Sequence, residues 1–177
     1  MNILDVAKNS VSAGASLIQI RLETDASGWM TLTIADDGCG MSKETLQNVT
    51  DPFYTTRTTR KVGLGLPLLK LATEQTGGSL HIESSQEKGS SGTTLIARFD
   101  TNSIDCMPLG DIVSTICILI AGSPEIDFEF SDVTPVREVA LKTRELRAVL
   151  GEEISLAEPE IQGWMREYLQ EQYSSEA

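Results

Sequence analysis

Four stretches of alternating apolar and polar side chains in the first hundred residues limit the folds open to this chain more than any other feature. A period of two is typical of a half-buried β-strand, so strands are predicted over residues 17–22, 29–35, 79–84 and 93–99. A short polar segment containing glycine separates the first two stretches, and another separates the last two. Each pair is therefore predicted to form an antiparallel hairpin.

Helical patterns lie before and between these hairpins. Residues 3–15 carry an apolar stripe at helical spacing, which predicts a helix. Ser42 can cap a short helix over 43–49, and Pro67 suits the first turn of a helix that continues over 68–76. The resulting order, α-β-β-α-α-β-β, predicts an α+β protein built as a two-layer α/β sandwich.

The remaining residues, 101–177, are predicted to form an α+β extension packed on the first unit, 1–100. Its predicted elements are a helix over 111–121, a hairpin of 127–130 and 136–141 about a turn at 133–135, a helix capped by Thr143 that ends at Leu150, and a helix over 160–173 opened by Pro159. Residues 1–100 are therefore the candidate functional unit, and residues 101–177 are an addition to that unit.

Charge separates the same two units. The whole chain has a formal charge of −12. Residues 1–100 carry 9 basic and 11 acidic side chains, a net charge of −2, whereas residues 101–177 carry 5 and 15, a net charge of −10. This excess of acidic side chains argues against nucleic acid or an anionic membrane as the main partner of the protein.

The cysteine and histidine content limits the metal-binding and catalytic chemistry that this chain can carry out. The three cysteines have no metal-ligand spacing, and the sequence shows no signal peptide, which predicts a reduced, cytoplasmic protein. No apolar run approaches the roughly 20 residues that span a bilayer. The single histidine, His81, lies in a predicted strand and is interpreted as a structural residue.

Asp5 and Asn9 lie one helical turn apart on the first predicted helix. An amide oxygen is a suitable ligand for Mg²⁺, and a carboxylate can orient or deprotonate a nucleophile. Considered alone, the pair is explained more simply by a solvated helix face.

The segment 36–41, Asp-Asp-Gly-Cys-Gly-Met, follows the second predicted strand. Gly38 and Gly40 would let the backbone approach a planar ligand closely. The carboxylate of Asp36 can accept a hydrogen bond from an amino group such as the exocyclic amine of adenine. The alternative is a glycine-rich turn, which Asp-Gly favours.

Residues 51–66 show little periodicity and are predicted as a long loop, which holds the densest basic cluster of the chain: Arg57, Arg60 and Lys61. The sequence Gly-Leu-Gly-Leu at 63–66 then leads into a predicted helix, where unpaired backbone N–H groups can hold an anion. The alternative is an ordinary surface loop.

In their order along the chain, these segments resemble the GHKL superfamily of DNA gyrase, heat-shock chaperone, histidine-kinase and MutL ATPases. The resemblance covers about residues 1–100 and implies the Bergerat, or histidine-kinase ATPase, fold. Four boxes carry it: Asp5-x-x-x-Asn9, Asp36-x-Gly38-x-Gly40, Gly63-x-Gly65-Leu66 and Gly92-Thr93. Residues 52–57 are similar to the PF[FY]TT[KR] stretch of sensor histidine kinases. The whole chain also looks similar to small stand-alone ATP-binding proteins encoded near iron-iron hydrogenase genes.

The resemblance implies a site for ATP and Mg²⁺. Asn9 would bind the metal, Asp36 and Thr93 would bind the adenine amine, and Met41 would pack on the base. Residues 51–66 would form a lid that offers N–H groups and cations to the phosphates. Catalytic roles would fall to Asp5, Arg57 and Lys61, and cofactor-binding roles to Asn9, Asp36, Gly38, Gly40, Met41, Arg60, Gly63, Leu64, Gly65, Leu66 and Thr93.

Two positions depart from the family pattern. Asp5 stands where gyrase and MutL have a glutamate general base, and its side chain is one methylene shorter. Ser12 stands where many histidine kinases have a lysine that contacts phosphate.

The resemblance leaves three functions open. No segment that could carry a phosphoacceptor histidine on a dimerising hairpin precedes residue 3, so any phosphoryl transfer is expected to reach another protein. The main hypothesis is a stand-alone kinase or ATPase subunit that binds ATP and acts on an unidentified protein partner. The alternatives are an ATP-driven conformational clamp and a nucleotide sensor without turnover. A homodimer is compatible with all three.

Some side chains of the extension also have alternative interpretations. Acidic residues of the hairpin are predicted to be solvated, with a cation site as the alternative: Asp127, Glu129 and Asp132. Apolar residues of the last helix are predicted to pack in the core, with a docking face as the alternative: Trp164, Met165, Tyr168 and Leu169. Cys106 and Cys117 are predicted to be small apolar core residues.

Overall fold

A computed structural model of the chain describes residues 3–51, 64–151 and 153–175. The helices are α1 (Ile3–Ser12), α2 (Lys43–Asn48), α3 (Gly65–Gln75), α4 (Ile112–Gly122), α5 (Thr143–Leu150) and α6 (Pro159–Ser174). The strands are β1 (Leu17–Thr24), β2 (Trp29–Asp36), β3 (Ser79–Ser85), β4 (Gly92–Asp100), β5 (Asp127–Thr134) and β6 (Arg137–Lys142). The predicted order of elements is confirmed.

All six strands belong to one sheet, in the order β3-β4-β2-β1-β5-β6. The predicted hairpins β1–β2 and β3–β4 are antiparallel, and β4 also pairs antiparallel with β2. The pair β1–β5 is parallel, with Ile20 opposite Phe130, and β6 completes the sheet as the antiparallel partner of β5. The helix α4 lies in the crossover between β4 and β5, as a parallel connection requires.

Alternation along the strands divides the sheet into two faces. One face is apolar and carries the buried side chains of neighbouring strands, such as Ile18 and Ile20 of β1 and Phe128 of β5. The helices α1 and α3 pack on the strands, and α4 contacts both α1 and α6. On the other face, the Arg98 guanidinium lies 4.4 Å from the centre of the Trp29 ring. The molecule is thus an α+β two-layer structure, as predicted.

The predicted division at residue 100 falls in the connection between β4 and α4. The sheet is continuous across this point, because β5 lies beside β1. One hydrophobic cluster contains residues from both sides, including Ile18 and Leu32 from the first part and Phe128 from the second. The two parts therefore share a core, and the division into two units stays a prediction.

Thr143 does not cap α5, contrary to the sequence prediction. Lys142 occupies the N-cap position, and Thr143 is the first residue of the helix. The Thr143 side chain is fully buried, and its hydroxyl accepts a hydrogen bond from the N–H of Phe128 at 2.8 Å. This hydroxyl therefore connects β5 to the start of α5. Ser42, in contrast, is confirmed as the cap of α2, because its hydroxyl accepts a hydrogen bond from Thr45 N–H.

The acidic residues of the β5–β6 hairpin each have a different partner. Asp127 accepts from the Nε atoms of Arg144 and Arg147, both at 3.1 Å. Asp132 is buried and accepts a hydrogen bond from the Tyr173 hydroxyl at 2.7 Å. Burial of Tyr173 raises the pKa of its hydroxyl, and the hydrogen bond to Asp132 raises that pKa further. Within the described ranges, no three His, Cys, Asp or Glu side chains are grouped to hold a metal ion. The prediction that the acidic side chains of this hairpin are solvated is wrong for Asp132, which is buried.

The apolar residues of α6 separate into two sets. Met165 and Leu169 are fully buried, as predicted for core residues. Trp164 and Tyr168 are 47% and 39% exposed, and their rings stack on each other with centres 5.0 Å apart. Cys117 is buried as predicted, whereas Cys106 is only partly buried and is not a core residue.

None of the helices formed by the described residues is both long enough and apolar enough to cross a membrane.

Candidate functional site

A row of polar side chains crosses three strands at one end of the apolar face. Asp36 of β2 lies opposite Thr93 of β4, and Thr93 lies opposite Ser84 of β3. The next row toward the centre of the sheet is apolar and has the same register, with Ile34, Leu95 and Ile82. Residues two positions apart on a strand share a face, so the polar row continues the core layer. It lies on the helix-covered side of the sheet, where the apolar core ends.

The Asp36 carboxylate is held by two hydrogen bonds. Oδ2 accepts from the Ser10 hydroxyl at 2.5 Å, and Oδ1 accepts from the N–H of Gly38 at 2.9 Å. Ser10 is 5% exposed and lies on α1, so it connects that helix to the end of β2. A carboxylate has about four lone-pair sites, which leaves acceptor capacity on Asp36 for a further donor.

Ser84 holds the other end of the polar row. Its hydroxyl lies 2.8 Å from the amide nitrogen of Met41, 3.0 Å from the carbonyl oxygen of Gly92 and 2.8 Å from Thr93 Oγ1. One side chain therefore joins the loop after β2 to the β3–β4 hairpin. The sequence prediction included Met41 and Thr93 but missed Ser84. The available signal was its position two residues beyond the core-facing Ile82.

Close packing of the backbone explains why glycine occupies two positions around this row. Gly40 has φ +68°, and a Cβ built on it would lie 1.8 Å from the carbonyl oxygen of Ser85. Gly92 has φ +148°, and a Cβ there would lie 2.1 Å from the carbonyl oxygen of Asp36. Neither site has room for a side chain. The approach of a ligand to Gly38 and Gly40 stays a prediction.

Asp37, next to Asp36, has a different environment. It accepts hydrogen bonds from the Ser16 hydroxyl and from the N–H groups of Ser16 and Leu17, at 2.7 and 2.9 Å for the N–H groups. Burial raises the pKa of Asp37, but these hydrogen bonds outweigh burial and leave the pKa below its usual value. Because the folded-state pKa is lowered, this stabilisation is present above the usual pKa and is lost as the pH falls.

Helix α1, which reaches Asp36 through Ser10, also meets the start of α3. Asp5 and Asn9 are both exposed on α1. A Cβ built on Gly65, the first residue of α3, would lie 3.6 Å from Asp5 Cβ, so the start of α3 packs against the first turn of α1. Leu68 donates to the Leu64 carbonyl at 3.0 Å. The N–H groups of Gly65 and Leu66 therefore precede the first hydrogen bond within α3.

Of the predicted site residues, the structure joins Asp36, Gly38, Met41 and Thr93 around the polar row and brings Asp5 against Gly65. The predicted site residues within the described ranges are Asp5, Asn9, Asp36, Gly38, Gly40, Met41, Leu64, Gly65, Leu66 and Thr93. The Leu66 side chain is buried in the core, so only its backbone can serve a ligand. Four further predicted residues lie outside the described residues: Arg57, Arg60, Lys61 and Gly63.

A family model described as "Histidine kinase-, DNA gyrase B-, and HSP90-like ATPase" matches residues 1–103. The chain belongs to this family. It therefore contains an ATP-binding domain of the GHKL type, like those of histidine kinases and MutL, and the predicted family is confirmed. Members of the family are kinases or ATPases.

Several curated relatives are sensor kinases. The chain is 38% identical over 77 residues to the C4-dicarboxylate transport sensor protein DctB of Rhizobium meliloti, which covers 44% of this chain and 11% of that protein. It is 32% identical over 89 residues to the sensor histidine kinase ZraS of Klebsiella oxytoca, covering 49% and 19% of the two chains. Sporulation kinase C of Bacillus subtilis is 33% identical over 89 residues, covering 49% and 20%. The match thus spans a fifth or less of each relative.

Solved structures confirm the fold over a larger part of the chain. The N-terminal domain of a DNA repair protein superposes with a TM-score of 0.57 at 14% identity, covering 84% of this chain and 55% of that one. The Aquifex aeolicus MutL ATPase domain complexed with ADP gives a TM-score of 0.53 at 16% identity, covering 79% and 60%. Each superposition covers more of this chain than residues 1–103, so the shared fold includes part of the elements that follow residue 103.

Proposed function

We propose that this protein binds ATP with Mg²⁺ at the polar row and acts as a signalling kinase or ATPase subunit on a partner protein. One observation carries the proposal: the held carboxylate of Asp36 lies beside Thr93 at the open end of the core, on the side covered by α1. A carboxylate with remaining acceptor capacity can accept a hydrogen bond from a ligand, and the exocyclic amine of adenine is such a donor.

The residues around Asp36 fit an adenine base. In this proposal Asp36 and Thr93 accept hydrogen bonds from the base, directly or through water, and Met41 packs on its face. Met41 is partly buried, and its N–H is held by Ser84, so the backbone beside the base is fixed in place. Asp36 lies between Ile18 of β1 and Thr93 of β4, and a few polar groups beside apolar ones fix the orientation of a ligand.

The phosphates would lie toward the meeting point of α1 and α3. There the N–H groups of Gly65 and Leu66 precede the first bond of the helix, which favours an anion. Asn9 is exposed one turn after Asp5 and supplies the oxygen ligand that Mg²⁺ prefers. When bound, Mg²⁺ neutralises phosphate charge. The sequence prediction assigns Leu64, Gly63, Arg57, Arg60 and Lys61 to the same phosphates, and the proposal keeps these roles.

His81 is not positioned to accept a phosphoryl group from a nucleotide bound at the polar row. His81 and Glu83 lie on the face of β3 opposite Ile82 and Ser84, and the two side chains contact each other at 3.0 Å. The sheet therefore separates His81 from a nucleotide bound at the polar row. Within this sequence there is no other histidine. A phosphoacceptor other than His81 is thus the outcome that this arrangement favours, and the proposal places that phosphoacceptor on a partner protein.

The proposal is tested by titrating the protein with ADP and Mg²⁺ in a calorimeter and then adding ATP labelled in the γ-phosphate, alone and with host lysate. We expect binding and a higher melting temperature, because a ligand that binds only the folded state stabilises it. A labelled protein in the lysate supports the kinase, free phosphate alone supports the clamp, and binding with neither supports the sensor. Absence of binding overturns the proposal as a whole.

Asp5 is expected to act in turnover and not in binding. Its carboxylate is on the first turn of α1, where α3 begins, and is remote in sequence from the base-binding segments. The substitution Asp5→Asn keeps the size of the side chain but removes its ability to take a proton. We expect at least about a 100-fold loss of phosphate release with an ADP affinity within about threefold of the original. Phosphate release is measured in a stopped assay and ADP affinity by calorimetry. Equal losses of phosphate release and of ADP affinity would contradict this division of roles.

A further inference from the structure

We infer that Ser84 is a positioning residue that fixes the hydrogen-bond polarity of Thr93 and so helps to select a base with an amino group over one with a carbonyl group at the same position. The inference rests on the proposed binding of ATP at the polar row. It concerns a side chain that none of the four sequence boxes contains.

The polarity follows from counting protons around the Ser84 hydroxyl, which has one proton and two lone pairs. Met41 presents an N–H at 2.8 Å, which can only donate. Gly92 presents a carbonyl oxygen at 3.0 Å, which can only accept. One assignment makes all three contacts of Ser84 hydrogen bonds: Ser84 accepts from Met41 and gives its single proton to Gly92.

In this assignment the third contact has a single direction. Thr93 Oγ1 lies 2.8 Å from Ser84 Oγ, and Ser84 has no proton left to give. The Thr93 hydroxyl then donates to the second lone pair of Ser84. All hydrogen-bonding groups of Ser84 are then satisfied, and Thr93 presents only lone pairs to the site.

The neighbouring Asp36 has the same polarity. Its oxygens accept from Ser10 and Gly38 and retain only acceptor capacity. Since Asp36 and Thr93 are opposite each other on β2 and β4, the site offers a ligand two adjacent acceptors. An amino group on the base can donate to this pair, whereas a carbonyl oxygen faces lone pairs on both sides. Without the Ser84 hydroxyl, Thr93 can turn its proton toward that carbonyl.

The test compares ADP with IDP, which carries a carbonyl group where ADP carries the amine, by calorimetry on the full chain. We expect the original protein to prefer ADP, and Ser84→Ala to reduce the ratio of the two affinities by about tenfold. A residue that only stabilised the fold would weaken both nucleotides equally and leave the ratio unchanged. The variant Ser84→Thr keeps a hydroxyl group and is expected to restore the ratio.

Two controls isolate the effect. The first control is Ser85→Ala, which removes the hydroxyl of the adjacent residue. The Ser85 hydroxyl accepts from the N–H of Glu87 in the turn and faces away from the polar row, so the ratio of the ADP and IDP affinities should not change. In a Thr93→Val background, where no hydroxyl remains to be oriented, Ser84→Ala should no longer change the ratio. An unchanged ratio in Ser84→Ala, with ADP still preferred by the original protein, overturns the inference about Ser84. Failure of the original protein to bind either nucleotide overturns the proposed function instead.

Discussion

Replacing Asp36 by asparagine is expected to lower the affinity for ADP by at least about 100-fold, which corresponds to about 2.7 kcal/mol. The substitution keeps one acceptor oxygen, which the N–H of Gly38 at 2.9 Å would retain. The amide nitrogen then takes the place of Oδ2, the atom that now accepts from Ser10. A donor would face the amine of the base, and the negative charge would be lost, so an attraction becomes a repulsion.

The matched control is Asp37→Asn, the same substitution one residue further along. The Asp37 carboxylate is occupied by Ser16 and Leu17 and holds the connection between α1 and β1. We expect this variant to lose about 1–2 kcal/mol of unfolding free energy while its ADP affinity, measured well below its melting temperature, stays within about threefold. A similar loss of affinity in both variants would show that Asp36 acts through general stability and not through contact with the base.

The strands of this fold could be predicted because their alternation is strong and local. Ile18, Ile20 and Leu22 are all buried on one side of β1, and the polar residues between them, Gln19 and Arg21, are exposed. Burial of one face needs only such a pattern, whatever the partner strand. The two predicted hairpins followed, because their short connections leave little choice of pairing.

The pairing of β1 with β5 could not be predicted in the same way. More than a hundred residues separate Ile20 from its partner Phe130, and neither strand contains a signal for its neighbour. A parallel pair depends on where the crossover helix α4 packs, which is a property of the whole core. For the same reason the local pattern predicts a cap at Thr143, whereas the Thr143 hydroxyl accepts a hydrogen bond from the backbone N–H of Phe128 on β5.

The candidate site shows the same limit at the level of single side chains. Asp36 and Thr93 stand out in sequence because they belong to boxes with glycines, and the structure places them opposite each other. Ser10 and Ser84 have no such neighbours and are ordinary residues of a helix and a strand. Only the fold brings their hydroxyl groups to Asp36 and Thr93, so residues that position a site are harder to find than residues that form it.

Replacing Gly40 by alanine is expected to destabilise the protein by more than about 3 kcal/mol and to abolish nucleotide binding at the temperature where the original protein binds. The added Cβ would lie 1.8 Å from the Ser85 carbonyl oxygen, a backbone atom that cannot move without shifting β3 and with it Ser84.

Gly14→Ala separates this clash from the cost of the backbone conformation alone. Gly14 has φ +70°, close to the +68° of Gly40, and a Cβ built there meets nothing within 4 Å. We expect it to lose only about 1–2 kcal/mol, the cost of a left-handed conformation for alanine. Urea unfolding followed by circular dichroism measures both values. Equal losses would mean that the β3–β4 hairpin moves away from the loop at little cost, and the polar row would then not be a rigid unit.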